Sequence, residues 1–496
     1  MKSICSDLLL QHMGTAGIAA LGKPFNRGLY ECIRGAIQDG SLAPSTRLPP
    51  SRDLAAELQL SRNTVMYAYE QLLAEGYVHA RIGSGTFVAS TAPEAYLNAT
   101  QASGSGAARV TMPGLSPRGA RLLRDAAASP VQWGAFMPGV PDVTRFPYRR
   151  YAQISARLWS KPDPALLSYS YDGGLPALRE TVAVHLRLAR SIRCAPEQVL
   201  ITEGIHQAID LVVRLLGSPG DVAWVEEPSY WGIRSILQIS DIAMQPIAVD
   251  ADGMSVPSVA AGTTPAPRFV FVTPSHQYPL GAVMSLARRR ALLELARQTG
   301  AWIVEDDYDS EFRYSGQPIP SLQGLEPDAP VIYIGTFSKT LFPGLRMGYL
   351  VLPPALATLF QVGHAELYRG GHLLTQAAIA EFMRCGEYAA HIRRMRLLYG
   401  KRRAVLAGLI TRFLGPHSLH EHASNAGLHL VLRLPDEADD QAISTACKAR
   451  GILARPLSRY FIGPKVQQGL LLGYACVPEE EIGPAFAILL ECIRKA

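Results

Sequence analysis

The stretch GTFSKTLFPGLRMGY, residues 335–349, decides how the larger part of this chain is read. It begins where a nearly continuous apolar run (VIYI, 331–334) ends, and it places Lys339 between small hydroxyl residues with Arg346 seven positions on. Four more short runs of the same character lie upstream: VLIT (199–202), VAWVEEP (222–228), FVFVTP (269–274) and WIVEDD (302–307). Unbroken Val, Ile and Phe are expected of strands buried on both faces of a mostly parallel sheet. Segments such as SLARRRALLELARQ (285–298) lie between them and read as helices. The pattern is α/β. In such sheets ligands bind beyond the carboxyl ends of the strands, so the polar residues that end the runs are where chemistry is sought.

A lone lysine after a strand is commonly a surface residue. The flanks of Lys339 suggest more. A pyridoxal 5'-phosphate (PLP) site needs an amine for a Schiff base and fixed donors for a dianionic phosphate. Thr336, Ser338 and Arg346 can supply those donors. The cofactor also needs a buried carboxylate to keep its ring nitrogen protonated. VEDDYDSEF offers Asp306, with the adjacent Asp307 as the alternative, and Tyr308 for the ring's phenolic oxygen. EEPSYWG sets Tyr230 at another strand end, either to stack on the ring or as a half-buried structural tyrosine. ITEGIHQAIDL puts Gly204, Ile205 and His206 at a helix start, whose free N–H groups can cradle phosphate; His206 is otherwise simply a helix-start residue.

Bulk properties set the frame. The 496 residues are too many for one ordinary domain. With 48% hydrophobic and 18% charged residues the chain is globular. The net charge of +6 is small, and residues 1–90 hold eight Lys/Arg against seven Asp/Glu, so charge gives no argument for nucleic acid. Seven scattered cysteines without a Cys-x-x-Cys pair point to free thiols in a reducing cytoplasm and to no metal site. The first residues, MKSICSDLLLQHMG, lack the apolar core of a signal peptide, and no run approaches the roughly 18 apolar residues of a membrane span.

Residues 20–90 read as a compact helical unit ending in a hairpin, 91–125 as an Ala/Ser/Gly/Pro-rich linker, and 126–496 as the α/β domain. The linker carries Arg109, Arg118, Arg121 and Arg124 with no acid among them, either as solvated charges or as phosphate contacts. In the first unit Leu29, Cys32, Ile33, Ala36 and Ile37 form one helix face. Ser51 is expected to cap a second helix and Ser61 a third. In the third, Val65, Ala68, Tyr69 and Leu72 face inward, leaving Arg62, Asn63 and Met66 outward near its start, where a recognition helix meets DNA. YVHARIGSGTFVA then reads as two strands around a glycine turn.

RLPPSRDLAAELQLSRNTVMYAYEQLLAEGYVHARIGSGTFVA (47–89) resembles the winged helix-turn-helix of GntR-type bacterial regulators along its whole length. The resemblance implies operator contacts by Arg52, Arg62 and Thr64, beside Asn63, and minor-groove or backbone contacts by Gly83 and Ser84 in the wing. Met66 stands where relatives often carry a polar reader. YSYDGGLPALRE, ITEGIHQ, EEPSYWG, TPSHQYPLG, EDDYDSEF and SKTLFPGLRMGY resemble fold-type I aminotransferases over about 130–496. Joined to a GntR-like head, they resemble the MocR subfamily, which includes regulators of GABA use and of PLP synthesis. The resemblance implies PLP held on Lys339 and a head-to-tail homodimer.

One departure stands out. Aminotransferases usually carry Asn-Pro-x-Gly where this chain has Tyr278-Pro279-Leu280-Gly281. The asparagine that binds the ring's phenolic oxygen is missing, which favours a sensing site over efficient turnover. Enzymes of this fold clamp a substrate carboxylate with a C-terminal arginine, for which ILARPLSRYF offers Arg459, with Arg455 as the alternative. The expectation is a PLP-dependent transcription regulator that answers to a small amine, an amino acid or PLP itself. The competing reading is a working aminotransferase with a DNA-binding appendage.

Overall fold

A computed structural model of the chain describes residues 25–81, 83–90, 114–124, 131–257, 264–316, 319–326, 328–420, 425–464 and 466–495. The chain divides into two compact units, 1–114 and 115–496.

In the first unit helix α1 (Phe25–Gln38) buries Leu29, Ile33, Ala36 and Ile37, one stripe at helical spacing. Helix α2 (Ser51–Leu58) begins differently from expectation. Pro50 is its N-cap and Ser51 the first helical residue, with no side-chain capping bond. Pro50 sits in extended backbone (φ −55°, ψ 144°), which moves the helix start one residue earlier than a serine cap requires. Helix α3 (Arg62–Ala74) is capped as read: Ser61 Oγ accepts from the Thr64 amide at 3.1 Å. Its Val65, Ala68 and Leu72 are buried against α1 and α2. The Val65 and Leu72 side chains each contribute roughly 1.5–3 kcal/mol through burial. Strands β1 (Val78–Arg81) and β2 (Gly85–Val88) pair antiparallel, and Gly83 and Gly85 turn the chain at φ 76° and 112°. Those angles suit residues without a Cβ.

The second unit is built on an eight-stranded sheet. Its strands are β3 (Val199–Thr202), β4 (Val222–Glu227), β5 (Ala243–Asp250), β6 (Gly253–Met254), β7 (Phe269–Val272), β8 (Trp302–Asp307), β9 (Val331–Thr336) and β10 (Gly348–Val351), in spatial order β3-β10-β9-β8-β7-β4-β5-β6. All five apolar runs are strands, and β3, β7, β9 and β10 are buried at every position. The run β9-β8-β7-β4-β5 is parallel, as continuous apolar strands require. β10 lies antiparallel between β3 and β9. It was not separated in the sequence, where it merges with the lysine motif. A smaller antiparallel sheet, β11 (His429–Arg433), β13 (Gly469–Gly473) and β12 (Arg455–Pro456), follows the 28-residue helix Glu387–Leu414.

Part of the stretch read as linker, residues 114–124, lies among the described residues. Residues 117–124 form the helix Pro117–Arg124, which packs on the helix Trp231–Ile239. Arg118 and Arg121 both pair with Asp241, Arg121 at 2.8 Å. Arg109 lies outside the described residues. Among the described residues no helix is long and apolar enough to cross a membrane, and no group of three or more His, Cys, Asp or Glu could hold a metal.

Candidate functional site

The carboxyl ends of β3, β8 and β9 and the loop after β4 open onto one cavity of about 250 Å³. Lys339, Asp306, Tyr308, Tyr230, Ile205, His206, Thr336, Ser338 and Arg346 all line it, and so do Arg455 and Arg459. Residues separated by more than a hundred positions thus meet because parallel strands deliver their ends to one edge.

Alternation along β8 separates the two aspartates. Successive side chains of a strand point to opposite faces. Asp306 faces the cavity, whereas Asp307 turns to the other side, where it meets Arg190 at 2.6 Å and accepts from the Tyr333 hydroxyl at 2.6 Å. The Asp306 carboxyl has no hydrogen-bond partner among the described residues. Burial, reinforced by Asp307 and opposed by Lys339, holds it well above the usual carboxylate range. Burial pulls the Lys339 ammonium down, against Asp309 and Asp306, and so favours a nucleophilic amine. Lys339 Nζ donates to the carbonyl oxygen of Gly139 at 2.7 Å.

The other end of the cavity is cationic. Helix Ile205–Leu216 starts after Gly204, whose φ is 92°. Its first amides have no intrahelical acceptor and carry the positive end of the helix dipole. Arg346, itself in left-handed backbone at φ 49°, donates to the Glu203 carbonyl at 3.0 Å and brings its guanidinium beside Gly204. A Cβ on Gly204 would stand 3.5 Å from that guanidinium carbon. Thr336 Oγ1 accepts from the Ser338 amide at 3.1 Å, which folds both hydroxyl residues into the cavity wall. His206 Nε2 lies 3.0 Å from the Tyr230 hydroxyl, and burial followed by Arg346 lowers its pKa. An amine, an unpartnered carboxyl and a phosphate cradle in one cavity fit the three functional ends of PLP.

Tyr278 lies where the asparagine was expected. Its hydroxyl is 3.2 Å from that of Tyr460, and its ring is edge-on to Tyr308 and Tyr230. Tyr308 in turn has its hydroxyl 2.9 Å from His276 Nδ1, and His276 contacts Asp309. Arg455 is half-buried, its Nη2 donating to the Val131 carbonyl at 3.3 Å, while Arg459 is exposed.

Sequence reading missed Gln132, Met137, Pro138, Gly139, Trp231, Pro343 and Tyr460 in the wall. The only signal was the Met-Pro-Gly run at 137–139, where Gly139 takes φ 70°. This segment is anchored by Asp142, which pairs with the buried Arg402 at 2.9 Å.

In the first unit Arg52, Arg62, Asn63, Gly83 and Ser84 are exposed, and Met66 with them. Thr64 is half-buried and its hydroxyl is 2.8 Å from Ser61 Oγ, so it serves the helix cap.

Fold and cavity define a PLP domain of the aminotransferase type, preceded by a winged helix-turn-helix. The pattern of the aminotransferase class I and II family matches residues 157–487, and that of the bacterial regulatory proteins of the gntR family matches residues 26–88. The chain is 41% identical over 453 residues to the probable rhizopine catabolism regulatory protein MocR of Rhizobium meliloti, covering 91% of this chain and 90% of the relative. It is 31% identical to the pyridoxine biosynthesis transcriptional regulator PdxR of Corynebacterium glutamicum, covering 92% of each. Among solved structures, kynurenine aminotransferase of Pyrococcus horikoshii superposes with a TM-score of 0.68 at 26% identity, covering 75% of this chain and 96% of the enzyme. The chain belongs to the MocR subfamily of GntR-type transcription regulators, and its cofactor is PLP.

Proposed function

We propose that this regulator binds operator DNA through α3 and the wing, and that the cavity at Lys339 sets how strongly it does so. The observation that carries the reading is the cavity itself. A half-buried amine and an unpartnered buried carboxyl face one space in a chain that also carries a winged helix.

In this reading Lys339 would supply the amine that holds the cofactor, and Asp306 would serve its ring nitrogen. Tyr308 would serve the phenolic oxygen, and Tyr230 would pack against the ring. The amides of Ile205 and His206, with Thr336, Ser338 and Arg346, hold the phosphate. PLP supplies an electrophilic carbon to which amines add. Arg459, or Arg455 beside it, takes the carboxylate of an amino-acid effector. Arg52, Arg62, Asn63 and Thr64 meet the operator, and Gly83 and Ser84 the backbone or minor groove. The protein acts in the cytoplasm as a head-to-tail homodimer whose two heads read repeated half-sites. The effector is a small amine or amino acid, or PLP itself. Such a ligand acts by binding one arrangement of the dimer better than another.

Operator binding by the purified protein tests this, first with and without PLP and then with a panel of amines and amino acids, absorbance being followed in parallel. DNA affinity that ignores every addition overturns the coupling. Sustained turnover of an amino acid with a keto acid at about 1 per second or faster replaces it with the enzyme reading.

A further inference from the structure

Behind the cofactor cavity lies a second one, of about 410 Å³, on the far side of the acidic end of β8. It is enclosed by the helix Pro176–Arg190, the loops after β7 and β8 and the first turns of the helix Glu387–Leu414. None of its residues contacts the proposed PLP groups directly except His276, the partner of the Tyr308 hydroxyl.

Its wall is cationic. Arg313, Arg393 and Arg396 line it, and none of the three has an acidic side-chain partner among the described residues. Arg396 spends its Nε on the backbone carbonyl of Glu311. Arg190 also lines it, neutralised by Asp307. Among the described residues the single carboxylate in the wall is Glu311, 3.8 Å from His185. Three uncompensated guanidinium groups around a concave space hold a positive potential, and their planar donors match phosphate or carboxylate oxygens. The volume is that of a small-molecule pocket.

We propose that this cavity is a second ligand site, for a small dianion carrying a phosphate or two carboxylates, and that its occupancy is felt at the cofactor. Two contacts connect the sites. Arg190 reaches from the cavity wall to Asp307, whose charge acts on Asp306. His276 reaches from the same wall to Tyr308. An anion that draws Arg190 or polarises His276 alters the charge around both groups assigned to the cofactor ring. The coupling, though not the site, rests on the cofactor reading above.

The test uses the PLP-loaded full chain, so that the first phosphate cradle is already filled. The lysine-bound absorbance band is scored before any anion is added, and its absence refutes the cofactor reading alone. Inorganic phosphate and succinate are then titrated separately at constant ionic strength, by calorimetry and by absorbance. Saturable binding of either, one per chain, is expected. It should weaken about tenfold or more in Arg393→Ala and in Arg313→Ala. Arg393 is exposed, so its variant stays folded even if the half-buried Arg313 variant does not. No saturable binding, or binding unaltered by Arg393→Ala, overturns the site. Binding that leaves the absorbance band unmoved overturns the coupling.

Discussion

Lys339 Nζ rests 2.7 Å from the carbonyl oxygen of Gly139, a residue 200 positions earlier in the chain. The contact holds the amine in the cavity wall without a carboxylate hydrogen-bond partner among the described residues. A Cβ on Gly139 would sit 3.1 Å from Nζ, so only glycine leaves the amine its full space. Lys339→Ala is expected to remove the visible-edge absorbance of the PLP-loaded protein and the mass adduct trapped by borohydride. Operator binding should persist but stop responding to PLP.

Asp306 and Asp307 are adjacent, yet their loss should read out differently. Asp306→Asn removes a carboxyl that faces the cavity, and PLP affinity should fall about ten- to a hundredfold, the worth of one charge-assisted hydrogen bond. The cofactor-free protein should become slightly more stable to heat, because the substitution removes a buried acid without a partner. Asp307→Asn instead strips a buried partner from Arg190, whose side chain is 7% exposed. That should cost about 3–5 kcal/mol in urea melts.

Arg62→Ala in α3 should weaken operator binding by about 1–3 kcal/mol and leave PLP absorbance intact. Unchanged DNA affinity would mean that another face of the head reads the operator.

Glu226 gives a pH test. It is buried, and burial raises its pKa from 4.5 to about 7, against hydrogen bonds from Thr273 and Gln277. Between about pH 4.5 and 7 the folded state then holds a proton that the unfolded state has released. This group's contribution therefore falls as pH rises through that window and is level above it. Glu226→Gln should remove that loss, on the order of 3 kcal/mol at most. Urea melts of both proteins at pH 4, 5.5 and 8 check it: the variant's gain over the native protein should be smallest at pH 4, intermediate at pH 5.5 and largest at pH 8.

Much of the site was legible because parallel strands announce themselves as unbroken apolar runs. The polar residue that ends each run then marks the cavity edge, which is how Lys339, Asp306 and Tyr230 were found. Sequence could not separate Asp306 from Asp307, since the pleat that parts them appears only in the folded strand. Gly139 and Tyr460 come from segments without a periodic pattern and reach the cavity by tertiary packing alone. The pairing of Arg118 and Arg121 with Asp241 was hidden for the same reason, its partner lying about 120 residues downstream. At Ser51 a local rule misled: a serine after two prolines looks like a cap, but the extended Pro50 takes that position.

The solitary carboxyl of Asp306 has a bearing on supply. A fold that keeps an acid buried without a partner is held below its attainable stability until a cationic group arrives. Whatever binds only the folded chain raises its melting temperature in proportion to the logarithm of its free concentration. Inside a cell, the lifetime of this regulator against proteolysis would then track the vitamin B6 pool. The acid proposed to face the cofactor's ring nitrogen would then make the abundance of the protein a gauge of how much cofactor there is.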